Sequence, residues 1–159
     1  MTLFEQMNEQ FNFELQSGYI YLDMAAKLKE QGMDGFAHFM MKQAHEEYEH
    51  AMKLYDFLFE IGEKVEYFDI EKPNVEFKSF TEIFKEALAH EQEVTARIHA
   101  LYKRATEEED YRVVELLGWY VKEQVEEEDN FRTIVEKFER IHENWSGLYI
   151  YDHELGARG

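Results

Sequence analysis

The chain has 159 residues, enough for one domain with a sizeable core, and 45% of them are hydrophobic. It carries 35 acidic against 17 basic residues, and this net charge of −18 argues against nucleic acid as a partner and favours cations. The absence of cysteine excludes disulfides, iron–sulfur clusters and thiolate zinc sites. No apolar stretch approaches the ~20 residues that span a bilayer. The N-terminus also lacks the pattern of a signal peptide, so we expect a cytoplasmic protein without a membrane partner.

Helix start and stop signals divide the chain into four long helices and a short fifth one. Start signals occur at Thr2, Asp34, Ser79 and Thr106, and all of them except Asp34 open a capping box. Gly32 and Gly62 stand where the first two helices should stop. The signals predict helices at 3–31, 35–61, 80–105 and 107–141, with a short helix near 145–155, all in a single domain over 1–159.

The hydrophobic spacing and the connections predict how these helices are arranged. Each long helix has apolar residues at steps of three and four, which is the spacing of one face turned toward a core. The first two helices, and likewise the last two long ones, are joined by short turns and should be antiparallel. The stretch GEKVEYFDIEKPNVEFKS, residues 62–79, could reach about 55 Å, whereas a helix of this length spans about 40 Å. The sequence therefore predicts an all-α four-helix bundle with one long crossover.

Polar residues interrupt every apolar face near the middle of its helix. In chain order they are Glu14, Glu47, His50, Glu91, Gln124 and Glu127. Unpaired buried carboxylates are strongly unfavourable, and bound cations remove that penalty. Oxygen-rich ligands with an imidazole suit iron or manganese, and bridging carboxylates suit two metals close together. The alternative of four solvated faces is disfavoured, because it would bury lysines and expose phenylalanines.

The pattern Glu47-x-x-His50 has a plain geometric reason. Residues three apart project from the same helix face, so both side chains can bind one ion. The pattern recurs at Glu139-x-x-His142, off the apolar face at a helix end and without partners, and we interpret that copy as a surface pair. The spacing alone is therefore weak, and the first copy gains weight from the carboxylates on the other helices.

Other residues beside the apolar faces leave two interpretations open. Tyr21 lies two turns from Glu14, where it either packs in the core with its hydroxyl hydrogen-bonded or serves the metals as a hydrogen-bonding or electron-donating neighbour. Glu46, Glu123 and Glu126 lie one residue to the side of the faces. They form either a third, looser metal site or solvated helix surface.

Four segments carry a resemblance to a known family. NFELQSGYIYLDMA, GFAHFMMKQAHEEYEHAMKLYDF, ALAHEQEVT and LLGWYVKEQVEEED, in this order along the whole chain, resemble a bacterial non-haem ferritin. The resemblance implies a ferritin-like four-helix subunit with a short fifth helix, assembled into a hollow homo-oligomeric shell of about 24 copies. It also implies iron storage with ferroxidase activity, in which O2 or H2O2 oxidises Fe(II) at a dinuclear centre and ferric oxyhydroxide mineral is stored.

The resemblance also implies which residues hold the iron. One iron would take Glu14, Glu47 and His50. The other would take Glu47 as the bridge, with Glu91 and Glu127. Gln124 and Tyr21 would lie beside this dinuclear centre. A third iron site would correspond to Glu46, Glu123 and Glu126.

Departures from related families narrow the interpretation. Bacterioferritins bind haem through a methionine where this chain has Tyr48, and their second Glu-x-x-His ends where this chain has Asn130, so we expect no haem. A small di-iron oxidase or peroxidase similar to rubrerythrins stays open, although the second motif and the cysteines are missing. A DNA-protecting shell similar to miniferritins also stays open, although the tail DHELGARG is not basic and all the ligands lie within one chain.

Overall fold

The structure, a computed structural model, describes residues 1–159 and contains five α-helices and no strand. The helices are α1 (Leu3–Glu30), α2 (Asp34–Glu60), α3 (Phe80–Glu107), α4 (Tyr111–Ile141) and α5 (Trp145–Leu155). The all-α prediction is confirmed, and every predicted helix is present. None of the five combines the length and the hydrophobicity that a membrane-spanning helix needs.

The chain forms two compact units. Residues 4–76 and 144–159 make one, here named the α1–α2 unit, which also contains α5. Residues 1–3 and 77–143 make the other, the α3–α4 unit. That the whole chain is one domain stays a prediction.

Most of the predicted helix ends are confirmed. Gly32 and Gly62 follow α1 and α2 with φ angles of 76° and 79°, which glycine adopts without the steric cost of a Cβ. Ser79 caps α3, because its side chain accepts a hydrogen bond from the Glu82 backbone N–H at 3.1 Å. These ends are local features, so the sequence alone was enough to find them.

The predicted capping box at Thr106 is wrong. The Thr106 hydroxyl donates to the carbonyl oxygen of Tyr102 at 2.8 Å, which is a bond inside α3, and that helix continues to Glu107. The N-cap of α4 is Asp110, whose side chain accepts from the Val113 N–H at 3.4 Å. The fourth helix therefore begins later than predicted.

The predicted N-cap at Asp34 is also wrong. Met33 holds the cap position without a side-chain hydrogen bond, and Asp34 is already helical. The N–H of Phe36 instead donates to Asp152 Oδ1 of α5 at 2.8 Å. A carboxylate from a distant part of the chain thus satisfies one of the free N–H groups at the start of α2.

The segment between α2 and α3 lies along α1 and is held by polar side chains of that helix. The bonds join Asn8 and Asn12 to Glu66, Asn12 to Phe68, Gln16 to Glu71 and Asp23 to Val75. Both partners advance together, so this crossover segment runs in the same direction as α1. The prediction that it returns along the length of a helix is confirmed.

Aromatic pairs show how each unit packs. In the α3–α4 unit, the rings of Phe84 and Phe138 stack with centroids 4.7 Å apart. In the α1–α2 unit, the α5 residue Tyr151 meets Phe36 edge-on at 6.2 Å. Tyr151 is buried, and this burial, reinforced by the charge of Glu154, raises the pKa of its hydroxyl. Residues of the predicted apolar faces thus lie inside each unit.

Candidate metal centre

Two carboxylates and an imidazole meet inside the α1–α2 unit. Glu14 comes from α1, and Glu47 and His50 come from α2 one turn apart. One potential ligand atom of each lies within 4.8 Å of the others. Their exposed fractions are 0%, 0% and 5%, so water does not screen them. Because the three-residue spacing directs Glu47 and His50 to the same side of α2, the two helices need only face each other to form the cluster.

Each of these carboxylates is held by a glutamine one turn earlier on its own helix. Gln10 Nε2 donates to Glu14 Oε1 at 3.0 Å, and Gln43 Nε2 donates to Glu47 Oε1 at 3.0 Å. His50 Nδ1 lies 3.4 Å from the other oxygen of Glu47. The second oxygen of Glu14 is buried and accepts no hydrogen bond. A buried carboxylate oxygen of this kind fits a cation ligand, and the donor set of oxygen and imidazole suits iron.

The α3–α4 unit contains a second group of buried polar residues. Glu91 on α3 and Gln124 and Glu127 on α4 are all buried. Gln124 Nε2 donates to Glu91 Oε2 at 3.1 Å and lies 3.2 Å from the Glu91 backbone oxygen. Gln124 therefore lies beside Glu91, which the resemblance to ferritins predicts to be a ligand. The amide crosses from one helix to the other to hold the carboxylate.

Thr95 extends this network toward the surface. Its hydroxyl lies 2.5 Å from Glu128 Oε2 and 3.0 Å from the Glu91 backbone oxygen. Gln124 Nε2 lies 3.3 Å from the same hydroxyl. Thr95 and Glu128 thus help to fix the amide that holds Glu91.

Four residues of these networks were missed at the level of sequence. Gln10 and Gln43 had a detectable signal, because a glutamine four residues before a carboxylate on one helix is within hydrogen-bonding reach. Thr95 and Glu128 had none, since their roles depend on how α3 and α4 are aligned.

The structure also places the remaining predicted residues. Tyr21 is fully buried in α1. Glu46 is half-buried and lies 3.0 Å from the guanidinium of Arg158. On α4, Glu123 is half-buried and Glu126 is exposed. The third site formed by these glutamates stays a prediction.

The second Glu-x-x-His copy lies on the surface, as predicted. Glu139 is exposed and forms an ion pair with Lys85 at 3.2 Å, and His142 is exposed just past the end of α4. The same sequence pattern therefore occurs once buried and once in solvent.

Comparison with known proteins identifies the family. The ferritin-like domain family matches residues 4–141. A bacterial non-heme ferritin of Staphylococcus haemolyticus (strain JCSC1435) is 41% identical over 156 residues, which cover 98% of this chain and 94% of that protein. A bacterial non-heme ferritin of Staphylococcus aureus (strain USA300) is 38% identical over 157 residues, covering 99% and 95%.

Solved structures give the same result for the fold. An open pore ferritin from the hyperthermophilic archaeon Archaeoglobus fulgidus has a TM-score of 0.97 and 41% identity, covering 99% of this chain and 97% of that one. A closed form of that ferritin, engineered by site-directed mutagenesis, also has a TM-score of 0.97, with 40% identity and coverage of 100% and 98%. The chain belongs to the ferritin family. The predicted ferritin-like fold and the resemblance to bacterial non-haem ferritins are confirmed.

Proposed function

We propose that this chain is an iron-storage protein with ferroxidase activity. It would oxidise Fe(II) at a dinuclear centre within each subunit and store ferric oxyhydroxide mineral inside a hollow shell of about 24 subunits. Membership of the ferritin family supports iron storage. The oxidation step is supported by the buried cluster of Glu14, Glu47 and His50, whose ligand atoms lie within 4.8 Å of one another.

The proposed centre has five ligands. One iron binds Glu14, Glu47 and His50. The other binds Glu47 as the bridge, with Glu91 and Glu127. The burial of all five side chains supports this assignment, because ionised groups leave water at low cost only when a counter-charge is bound. Gln124 and Tyr21 are assigned beside the centre, and Glu46, Glu123 and Glu126 to a third iron site.

The chemistry follows from the charges of the ligands. Anionic carboxylates stabilise Fe(III) more than Fe(II), which lowers the reduction potential and favours electron transfer to an oxidant. Two Fe(II) ions supply two electrons, which together with two protons convert O2 to H2O2, or H2O2 to two molecules of water. Gln10 and Gln43 each donate a hydrogen bond to one oxygen of a carboxylate, so the second oxygen of Glu14 and that of Glu47 can face the irons.

The proposal also covers partners and location. Fe(II) and O2 or H2O2 are the substrates, and other copies of the same chain are the partners. The activity is assigned to the cytoplasm, without haem, nucleic acid or membrane.

The test is aerobic Fe(II) oxidation followed by stopped-flow absorbance, with size-exclusion chromatography of the product and its iron content per subunit. We expect fast oxidation of about two irons per chain, then uptake of hundreds more on a very large particle. Two irons held without further uptake on a dimer-sized particle would instead identify a di-iron redox enzyme.

A further inference from the structure

The last four residues of the chain, 156–159, form a C-terminal arm that contacts α2. Arg158 Nη2 lies 3.0 Å from Glu46 Oε1, and Nη1 donates to the Phe39 carbonyl oxygen at 3.1 Å. The guanidinium carbon lies 4.3 Å from the centroid of the Phe39 ring. The carbonyl oxygen of Arg158 lies 2.7 Å from His38 Nε2. The guanidinium is thus fixed by an anion, a carbonyl and an aromatic face at once.

The contact of α5 with the start of α2 positions this arm. Asp152 accepts the N–H of Phe36 at 2.8 Å. The contact is close enough that a Cβ on Gly35 would come within 1.7 Å of the Asp152 carbonyl oxygen. Because α5 is seated directly on the start of α2, the arm that follows it needs little further ordering to bring Arg158 to Glu46.

A metal cation and the Arg158 guanidinium compete for the carboxylate of Glu46, because both cannot bind the same oxygen at once. The Glu46 side chain is 39% exposed, and that of Arg158 is 18% exposed, so cations in solution still reach Glu46. Arginine stays protonated throughout the working range of a protein, so its charge always competes. Glu46 also precedes the proposed ligand Glu47 directly in α2.

We propose that Arg158 is a built-in counter-ion that competes with metal cations for Glu46. The C-terminal arm then weakens cation binding at the third iron site, and a cation bound there releases the arm. This inference rests on the proposed function, which assigns Glu46 to that site. The coupling is reciprocal: the free energy by which Arg158 weakens cation binding equals the free energy by which a bound cation weakens the attachment of the arm.

The first experiment measures cation affinity with Zn(II), which cannot be oxidised, by calorimetric titration of the assembled apoprotein. The wild type should show a tight pair of sites and one weaker site. Arg158→Gln should tighten the weaker site about two- to fivefold, as expected for loss of a partly exposed ion pair, and leave the tight pair unchanged. Arg158→Lys keeps the charge and should stay closer to the wild type.

A double-mutant cycle assigns the effect to Glu46. Glu46→Gln should remove the weaker site, and Arg158→Gln should then have no further effect. Unchanged affinity of the weaker site in Arg158→Gln, or equal tightening without the Glu46 carboxylate, would overturn the inference. A wild-type titration without a tight pair of sites would instead contradict the dinuclear centre. The two outcomes are distinct because the titration measures the tight and the weaker sites separately.

The second experiment measures release of the arm. The chain has no cysteine, so Gly159→Cys gives a single attachment point for a nitroxide label, diluted with a diamagnetic analogue to separate the spins. Saturating Zn(II) should narrow the EPR lines, whereas Arg158→Gln should give narrow lines before Zn(II) is added. If Zn(II) leaves the EPR lines of the labelled protein that keeps Arg158 unchanged, the cation does not displace the arm.

Discussion

The two units hold their buried carboxylates in different ways. In the α1–α2 unit, Glu14 and Glu47 are each bonded by a glutamine of the same helix. In the α3–α4 unit, Glu91 is bonded by Gln124 of the neighbouring helix. The first arrangement follows from the geometry of a single helix, whereas the second requires that two helices be correctly aligned. A buried carboxylate can therefore be held by local order in one region and by packing between helices in another.

The largest expected effect comes from removing a proposed ligand in the α1–α2 unit. Glu47→Ala or His50→Ala should slow Fe(II) oxidation by about 100-fold or more, because removing groups that merely orient metal ligands already costs 10- to 100-fold. The measurement is the initial rate in stopped-flow absorbance, with chromatography to confirm that the particle size is that of the wild type.

The chain supplies its own control for this prediction. Glu139→Ala and His142→Ala alter the same sequence pattern on the surface and should leave the rate unchanged. Wild-type rates in Glu47→Ala and His50→Ala would remove the proposed dinuclear site.

Substituting one glycine in each unit tests how tightly the surrounding residues are packed. Gly35→Ala places a Cβ 1.7 Å from the Asp152 backbone oxygen and should destabilise the protein by about 2–3 kcal/mol. Gly118→Ala meets nothing within 4 Å inside a helix and should stabilise it by up to about 1 kcal/mol. Guanidinium unfolding monitored by circular dichroism measures both. Equal midpoints for the two variants would refute the tight seating of α5 on α2.

Substituting the glutamines tests whether the two units differ in how they hold their buried carboxylates. Gln124→Leu leaves Glu91 without its donor from α4 and should cost about 1–3 kcal/mol of apoprotein stability. Gln43→Leu also leaves a buried carboxylate oxygen without its glutamine donor, but it removes one contact within a helix where Gln124→Leu removes three between helices, so its cost should lie at the lower end of that range, about 1 kcal/mol. Denaturant midpoints of the two apoproteins give the difference. A larger loss for Gln43→Leu would reverse the view that the α3–α4 unit depends more on its bridging amide.

The smallest effect concerns the N-cap of α4. The hydrogen bond from Arg112, followed by the bond from the Val113 N–H, lowers the pKa of Asp110. Since the folded pKa lies below the unfolded one, the carboxylate favours folding above the ordinary aspartate pKa of about 3.9, and this contribution is lost as the pH falls through the folded pKa. Asp110→Asn should therefore lower stability by a few tenths of a kcal/mol at neutral pH.

Denaturation midpoints measured across the acidic range check this prediction. The difference between wild type and Asp110→Asn should shrink as Asp110 becomes protonated. A difference that stays constant with pH would show that the charge of Asp110 contributes nothing to the folded state.

Much of the fold was predictable because its signals are local. Glycines after α1 and α2, the cap at Ser79 and the apolar spacing all act within a few residues, and the predicted helices follow from them. The same spacing identified the buried faces that carry Glu14 and Glu91. The errors at Asp34 and Thr106 arose where two capping choices compete and a distant or neighbouring group decides between them.

Contacts between distant residues could not be read from the sequence. The pairing of Arg158 with Glu46 joins α2 to the end of the chain, and nothing in either segment marks the other as its partner. The hydroxyl of Thr95 reaches Glu128 only because α3 and α4 meet in one alignment. Such contacts depend on tertiary packing, which periodicity does not specify.

The crossover segment is held through its backbone, since asparagine, glutamine and aspartate side chains of α1 bond its N–H and C=O groups. Most of its own side chains are exposed, and among them Tyr67 adds to the attachment through its ring, whose centroid lies 6.2 Å from that of Phe11 on α1. Only proline is excluded where an N–H is used, as at Glu66, Phe68, Glu71 and Val75, and the single proline, Pro73, avoids those positions. Away from Tyr67 and those N–H positions, this stretch should tolerate substitution, and its exposed side chains offer a place to attach a dye or display a foreign epitope.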